Sequence, residues 1–414
     1  MIDAPLARFA PREGTANDEI LGQRPRFVFA PASGAEAAEI VALTAKEHFC
    51  LAFVGGGTGL ELGPPPSRLD AVIRTERWTK VVEYAPSDQV VIVEAGMTLA
   101  ALQRELGRFG QRLAIDPPWP ERATVGGIVA SNAFGALRTR YGSIRDLLIG
   151  ISFVRADGIS ARGGGKVVKN VAGFDLPKLL VGSLGTLGLI TSATFRLHPL
   201  PETKVTLLLA KQTAAQVRAL CTELRRAQLE PAAVVAMTEK GEFSVALRFE
   251  GFGAGVDEQK DRLLALVAPG ACEALDETQA EAIWARHDRL RAAGSFRAKV
   301  AALPGSIETL MAEGVSPLMA ILEAPGFVSY PTLGLGFVSG VANAYERIAL
   351  AFGAARRRIE RLGGSLVVEA APSGVRALCE VWGPAPHGLS LMQSVKARLD
   401  PEHLLSRGRF VGGI

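Results

Sequence analysis

Glycine, serine and threonine gather in three clusters along the first half of the chain. They are VGGGTGLELGPPP (residues 54–66), DPPWPERATVGGIVASNAFGALRTRYG (116–142) and AGFDLPKLLVGSLGTLGLI (172–190). Consecutive glycines can turn successive backbone N–H groups toward an anion with no Cβ in the way, and short hydroxyl side chains can add donors. The second cluster has no acid after Glu121 and carries Arg138 and Arg140, a composition suited to a diphosphate. Each cluster taken alone reads more readily as a structural turn, because glycine punctuates every fold. A Rossmann fingerprint is excluded, since Gly59-Leu60-Glu61-Leu62-Gly63 runs into Pro64-Pro65-Pro66 and not into a helix whose first amides could hold a pyrophosphate. The third cluster likewise opens a strand, not a helix.

Other chemistries find little support. The histidines His48, His198, His287, His387 and His403 show no pair at ligand spacing, and no glutamate-histidine-glycine element occurs. Cys50, Cys221, Cys272 and Cys379 are far apart with no CxxC, so neither a zinc site nor a disulfide framework is expected, and a reducing, cytoplasmic setting fits. The metal expectation is none. The N-terminal MIDAPLARFAPREG lacks the apolar core of a secretory signal. A net charge of +4 is too small and dispersed for nucleic acid, and Arg356-Arg357-Arg358 reads as the solvated side of an amphipathic helix. Two charge-free stretches, 179–195 and 324–345, carry glycines or prolines that bar a spanning helix, and they read as buried strands and turns. Trp78, Trp119, Trp284 and Trp382 read as core or interface aromatics.

The elements that must position the clusters follow from periodicity. RFVFAPAS, CLAFV, DAVIRT, KVVEYA and QVVIVEAG read as short strands. GAEAAEIVALTAKEH and TLAALQRELGRFG read as helices, the second with Thr98 as N-cap. DLLIGISFVRADG and GLITSATFRL return to strand. Beyond residue 200 the order changes to two successive βαββα-like runs, which predict an antiparallel sheet with helices on one face. The fold class expected is α+β. Domains are expected at 1–200, 201–385 and 386–414, the last a helix and tail returning to the first.

Taken together, the three clusters resemble the flavin-binding domain of the vanillyl-alcohol oxidase family, the PCMH-type FAD domain. The stretch GGGKVVKNVAGFDLPKLLVGSLGTLGLITSATFRLHPLP (163–201) resembles a closer group, the E subunits of bacterial glycolate oxidase. The resemblance implies a two-lobed FAD-binding domain followed by an α+β cap. It implies that Gly55, Gly56, Gly57, Thr58 and Gly59 cradle the diphosphate because side chains there would hold the phosphates off. It further implies that Pro118, Thr124, Gly126, Gly127, Ser131, Asn132 and Gly135 form the second flavin loop, with Tyr141 and Gly142 following. Gly188 and Ile190 fall where the backbone meets the adenine end. The first loop has neither histidine nor cysteine, so FAD is expected to be noncovalent.

Relatives that oxidise 2-hydroxy acids carry a late glutamate-histidine-glycine element, and this chain does not. His387-Gly388 follows Pro386, and the tail reads Ser406-Arg407-Gly408 where relatives often have asparagine-proline-glycine. The resemblance therefore implies the FAD-binding subunit of a glycolate (2-hydroxy acid) dehydrogenase complex, relaying electrons beside a D-type FAD-linked 2-hydroxy acid dehydrogenase subunit and an iron–sulfur subunit. Those partners would place the chain at the inner membrane only peripherally. The alternatives are a stand-alone flavin oxidoreductase with its own substrate pocket and a noncatalytic scaffold. No catalytic residue is assigned from the sequence. A positive mean hydropathy (+0.21) without a spanning segment adds the expectation of an apolar subunit interface, drawn largely from the second half.

Overall fold

The computed structural model describes residues 4–167 and 173–414; the Lys169-Asn170-Val171-Ala172 portion of the KNVAGFDLPKL stretch lies outside the described residues. The chain divides into two compact units. The first comprises residues 1–134, 142–199 and 384–414, and the second 135–141 and 200–383. Nothing in the sequence marks the short exchange at 135–141.

Among the described residues the first unit holds two main sheets and a two-stranded pairing of Gln111–Arg112 with His198–Pro199. In the smaller, the strand Ala71–Arg74 lies between Phe27–Phe29 and Leu51–Val54 and runs parallel to both. These strands are short and apolar on both sides, as parallel strands buried on two faces must be. The helix Gly34–Lys46 connects the outer pair, capped by Ser33, whose hydroxyl accepts from the Glu36 amide. The larger sheet is antiparallel, ordered Val81–Ala85, Val90–Glu94, Leu189–Arg196, Leu148–Val154, Ser160–Gly164. Thr98 caps the helix Leu99–Gly107 by accepting from the Ala101 amide. Phe29, Ile73, Val91, Leu102, Val129 and Phe195 are among the fully buried residues of the shared core.

The second unit is built on one antiparallel sheet ordered Glu273–Leu275, Thr203–Gln212, Phe243–Gly251, Ala233–Thr238, Glu323–Tyr330, Leu335–Val341, Phe296–Ala301, Ser365–Ala370. The two runs read from the sequence are thus halves of a continuous sheet, joined where Ala236 pairs with Ser329. Leu207, Leu247, Phe327 and Val338 point to one face, against Leu220, Leu263 and Phe352 from the helices Ala214–Arg226, Gly253–Leu266 and Tyr345–Arg361. The expectation of helices on one face only needs correcting. Thr206, Tyr330 and Phe337, one position out of phase and so on the opposite face, meet Trp284, His287 and Arg291 of the helix Glu277–Ala292. Sequence periodicity passes over this helix because it is charged on most sides. Its start is nevertheless written in a capping box, with Asp276 accepting from the Gln279 amide and Gln279 accepting from the Asp276 amide.

His287 is buried and shares a 2.8 Å hydrogen bond with the Tyr330 hydroxyl. Burial is the main cause holding its pKa below the ordinary histidine value, and Asp288 offsets part of that effect. As pH falls, the unfolded chain therefore takes up this proton before the folded one. The stability involved is complete above the unfolded value of about 6.5 and is lost as pH drops toward the folded value. Thermal unfolding of the wild type is expected to weaken across that window. His287→Gln, which does not titrate, should show a flatter pH dependence; an unchanged slope would contradict the assignment.

Candidate functional site

The first glycine cluster leaves the end of the strand Leu51–Val54 and lines a half-open cleft of the first unit. The cleft encloses about 810 Å³ of non-protein space, its mouth included. Among the described residues, no amide of Gly55, Gly56, Gly57, Thr58 or Gly59 donates to an acceptor within the chain. Five successive donors without acceptors form a nest that an anion can fill. Gly57 has φ +76°, the left-handed conformation that glycine adopts without penalty.

The two glycines before it are required by contacts within the chain itself. A Cβ on Gly56 would lie 1.6 Å from the Arg122 carbonyl oxygen, and one on Gly55 would lie 2.1 Å from Thr124 Oγ1. Side chains at 55 and 56 are barred by the second loop, whatever the cleft holds, and the two loops interlock through these contacts.

The second cluster is a tight turn followed by the short helix Val125–Ser131. Thr124 caps it by accepting from the Gly127 amide, and the Gly126 amide donates to the Ala95 carbonyl at 2.8 Å. Gly126 has no room for a side chain, since a Cβ would stand 2.8 Å from that of Ala95. Ser131 Oγ donates to the Gly127 carbonyl at 2.7 Å. Asn132 ends the helix at φ 52°, a conformation asparagine tolerates, with its Oδ1 buried and without a hydrogen-bond partner. Arg122 Nη2 lies 4.0 Å from the position a Gly57 Cβ would take, so this guanidinium stands beside the free amides.

The C-terminal tail completes the cleft, and sequence reasoning assigned none of the tail's residues to the site. Leu51 donates to the Leu404 carbonyl and Ser406 to the Leu51 carbonyl, which lays the tail alongside the strand leading into the first cluster. The buried Arg409 donates to the carbonyls of Leu60, Leu62 and Pro64 at 2.8, 2.8 and 2.9 Å, pinning the proline-rich end of that loop. Both Ser406 and Arg409 line the cleft. The available signal was the arginine that follows Ser406-Arg407-Gly408. Beneath the tail, Lys396 Nζ donates to Asp400, to the Thr186 carbonyl at 2.8 Å and to the Leu405 carbonyl at 3.0 Å. Asp400 in turn accepts from the amides of Leu404 and Leu405. Burial pulls the Lys396 pKa down, and Asp400 opposes that shift.

Of the residues singled out in the sequence, Gly55, Gly56, Gly57, Thr58, Gly59, Thr124, Gly126, Gly127, Ser131, Gly188 and Ile190 line the cleft together. A Cβ on Gly188 would stand 2.7 Å from the Phe153 ring. Pro118, Asn132, Gly135, Tyr141 and Gly142 are not among its lining residues. Gly135 and Tyr141 belong to the segment counted with the second unit, where the Tyr141 hydroxyl donates to the buried Glu250 at 2.9 Å. Gly142, at φ +79°, turns the chain back into the first unit. Among the described residues, no group of three or more His, Cys, Asp or Glu side chains is placed to hold a metal ion, and no helix is long and apolar enough to cross a membrane.

Residues 25–162 match the family described as "FAD binding domain". Along most of its length the chain is similar to glycolate oxidase subunit GlcD of Bacillus subtilis, at 25% identity over 93% of this chain and 88% of the relative. It is 34% identical to glycolate oxidase subunit GlcE of Escherichia coli over 44% of this chain, an alignment spanning half of that relative. Among solved structures, p-cresol methylhydroxylase superposes with a TM-score of 0.74 at 15% identity, covering 94% of this chain and 89% of the other, a likeness of fold. The cleft fits such a cofactor. Its free amides and the nearby Arg122 and Arg409 suit a diphosphate, while Ala52, Val54, Leu184, Leu189 and Ile190 offer apolar walls to flat rings.

Proposed function

We propose that this chain, an FAD-dependent oxidoreductase built on the PCMH-type FAD-binding fold, is the flavin-holding subunit of a multi-subunit 2-hydroxy-acid dehydrogenase. When bound, FAD supplies an acceptor for the hydride leaving a carbon next to oxygen. The observation that carries the reading is the pairing of a ready diphosphate nest at Gly55–Gly59 with the lack, among the described residues, of a donor cluster for a catalytic metal. The likeness to glycolate oxidase subunits supports hydroxy-acid chemistry. In this reading Gly55 to Gly59 and Arg122 hold the diphosphate and Arg409 holds the loop. Pro118, Asn132, Gly135, Tyr141 and Gly142 act as the second flavin loop and its continuation. The cleft's lining contains no histidine or cysteine, which supports noncovalent attachment. The partners are a D-type flavoprotein subunit and an iron–sulfur subunit.

One observation favours a second reading, in which the chain binds a hydroxy acid itself. On the sheet face of the second unit that carries the helix Glu277–Ala292, Lys299 lies close enough to Arg291, Arg138 and Glu369 for their charges to act on it. Arg291 reaches Glu369 at 3.4 Å and stands 3.2 Å from the centre of the Phe337 ring. Burial is the first cause depressing the Lys299 pKa; Glu369 opposes it and the two guanidiniums add to it. Three cationic side chains against one carboxylate suit a substrate carboxylate.

Affinity purification of the tagged chain from its host, with mass spectrometry and dye-reduction assays, separates the readings. The first predicts recovery with a D-type flavoprotein and an iron–sulfur protein, and no glycolate-dependent dye reduction by the chain alone. A chain recovered alone that oxidises glycolate, with Lys299→Met raising KM by about tenfold or more, would overturn the first reading and establish the second.

A further inference from the structure

The second unit contains a larger cavity that shares no residue with the flavin cleft. It encloses about 1490 Å³ of non-protein space, its mouth included. It lies between the helix Ala214–Arg226, the turns at 229–231 and 304–305, the short helical turn Pro331–Leu333 and residues 139–140. Its lining contains three guanidiniums, from Arg140, Arg218 and Arg225, and one carboxylate, from Glu230. Arg218 is paired with Glu308 at 2.9 Å, and Arg140 Nη1 donates to the Glu250 carbonyl at 3.0 Å. Among the described residues the Arg225 guanidinium has no hydrogen bond or ion pair. Cys221 adds no negative charge, since burial pushes its thiol up to about 12.

Two further lining residues, Thr139 and Thr332, each bury a hydroxyl oxygen that has no hydrogen-bond partner. An unsatisfied buried hydroxyl costs roughly 1–3 kcal/mol, and proteins seldom carry two in the lining of one cavity without use. Two hydroxyl donors below a guanidinium rim form a site for an oxygen-rich anion.

We propose that this cavity binds a small oxyanion, a carboxylate or a phosphate, seated between the hydroxyls of Thr139 and Thr332 and the guanidinium of Arg225. The experiment is calorimetric titration of the flavin-loaded full-length protein with inorganic phosphate and, separately, with succinate, at matched ionic strength. One of the two probes should bind saturably. Arg225→Gln and Thr332→Val should each weaken that probe about tenfold, the size of one charge-assisted or buried hydrogen bond, with flavin content unchanged. Arg225 is exposed, so its substitution leaves the fold intact and serves as a check on Thr332→Val at a half-buried position. Whichever probe binds identifies the source of the oxyanion. Absence of saturable binding by either, or binding indifferent to both substitutions, overturns the proposal.

Discussion

Gly56→Ala is expected to yield protein nearly free of flavin. A single methyl at this position would stand 1.6 Å from the Arg122 carbonyl oxygen and 2.6 Å from its carbon, so backbone must move. That backbone cannot move alone. The Ala123 amide donates to the Trp119 carbonyl and the Ala123 carbonyl accepts from Leu99, both at 2.8 Å, while Thr124 caps the next helix. Overpacking of this kind costs about 1–3 kcal/mol. The larger effect is on the cofactor, because the two loops forced apart carry the five free amides and Arg122. Flavin absorbance per chain should fall at least about tenfold, the loss that one misplaced charge-assisted hydrogen bond already produces. The control is Gly107→Ala, where a Cβ meets nothing within 4 Å inside a helix. It should be neutral or stabilising by about 0.5–1 kcal/mol and keep its flavin. Equal flavin content in the two variants would show that the interlock does not form the site.

Lys396→Met should be the most destabilising single change in the first unit. Lys396 and Asp400 are both fully buried, and removing the ammonium leaves a carboxylate with only two amides for company. Breaking a buried pair from one side costs about 3–5 kcal/mol. The damage should spread to the cofactor, because the same pair ties down the Leu404–Leu405 backbone and, beyond it, Ser406 and Arg409 at the cleft. Urea unfolding should report the loss of stability, limited proteolysis an early cut in the tail, and the flavin spectrum a reduced content. Adding Asp400→Asn to Lys396→Met should restore part of the stability by removing the uncompensated charge. A double variant no better than the single would contradict the ion-pair account.

These expectations show which parts of the site could be read from the sequence. The loops were legible because VGGGTGL and ATVGGIVASNAFG advertise backbone exposure through residue type, and short strands with regular turns fixed the elements around them. The reason for Gly55 and Gly56 was not legible, since it lies in a contact with Arg122 and Thr124, some 70 residues away in sequence. Arg409 was missed for the same reason: its three carbonyl partners are backbone atoms, which leave no trace in residue identity. The helix Glu277–Ala292 escaped periodicity because it packs on the sheet through Trp284, His287 and Arg291, amphipathic residues that a hydrophobic pattern does not count. Positions 135–141 continue the second glycine cluster without any break in composition, yet Tyr141 is held by Glu250. Such a long-range polar pair has no local signature.

The central claim, that the interlocked cleft of the first unit holds FAD noncovalently, is tested most directly by acid precipitation of the purified chain and chromatography of the supernatant. The account predicts near-stoichiometric FAD in the supernatant, a colourless pellet, and loss of that FAD in Gly56→Ala but not in Gly107→Ala. Flavin retained in the pellet, or a wild-type chain that carries none and takes up none when FAD is added, would contradict it.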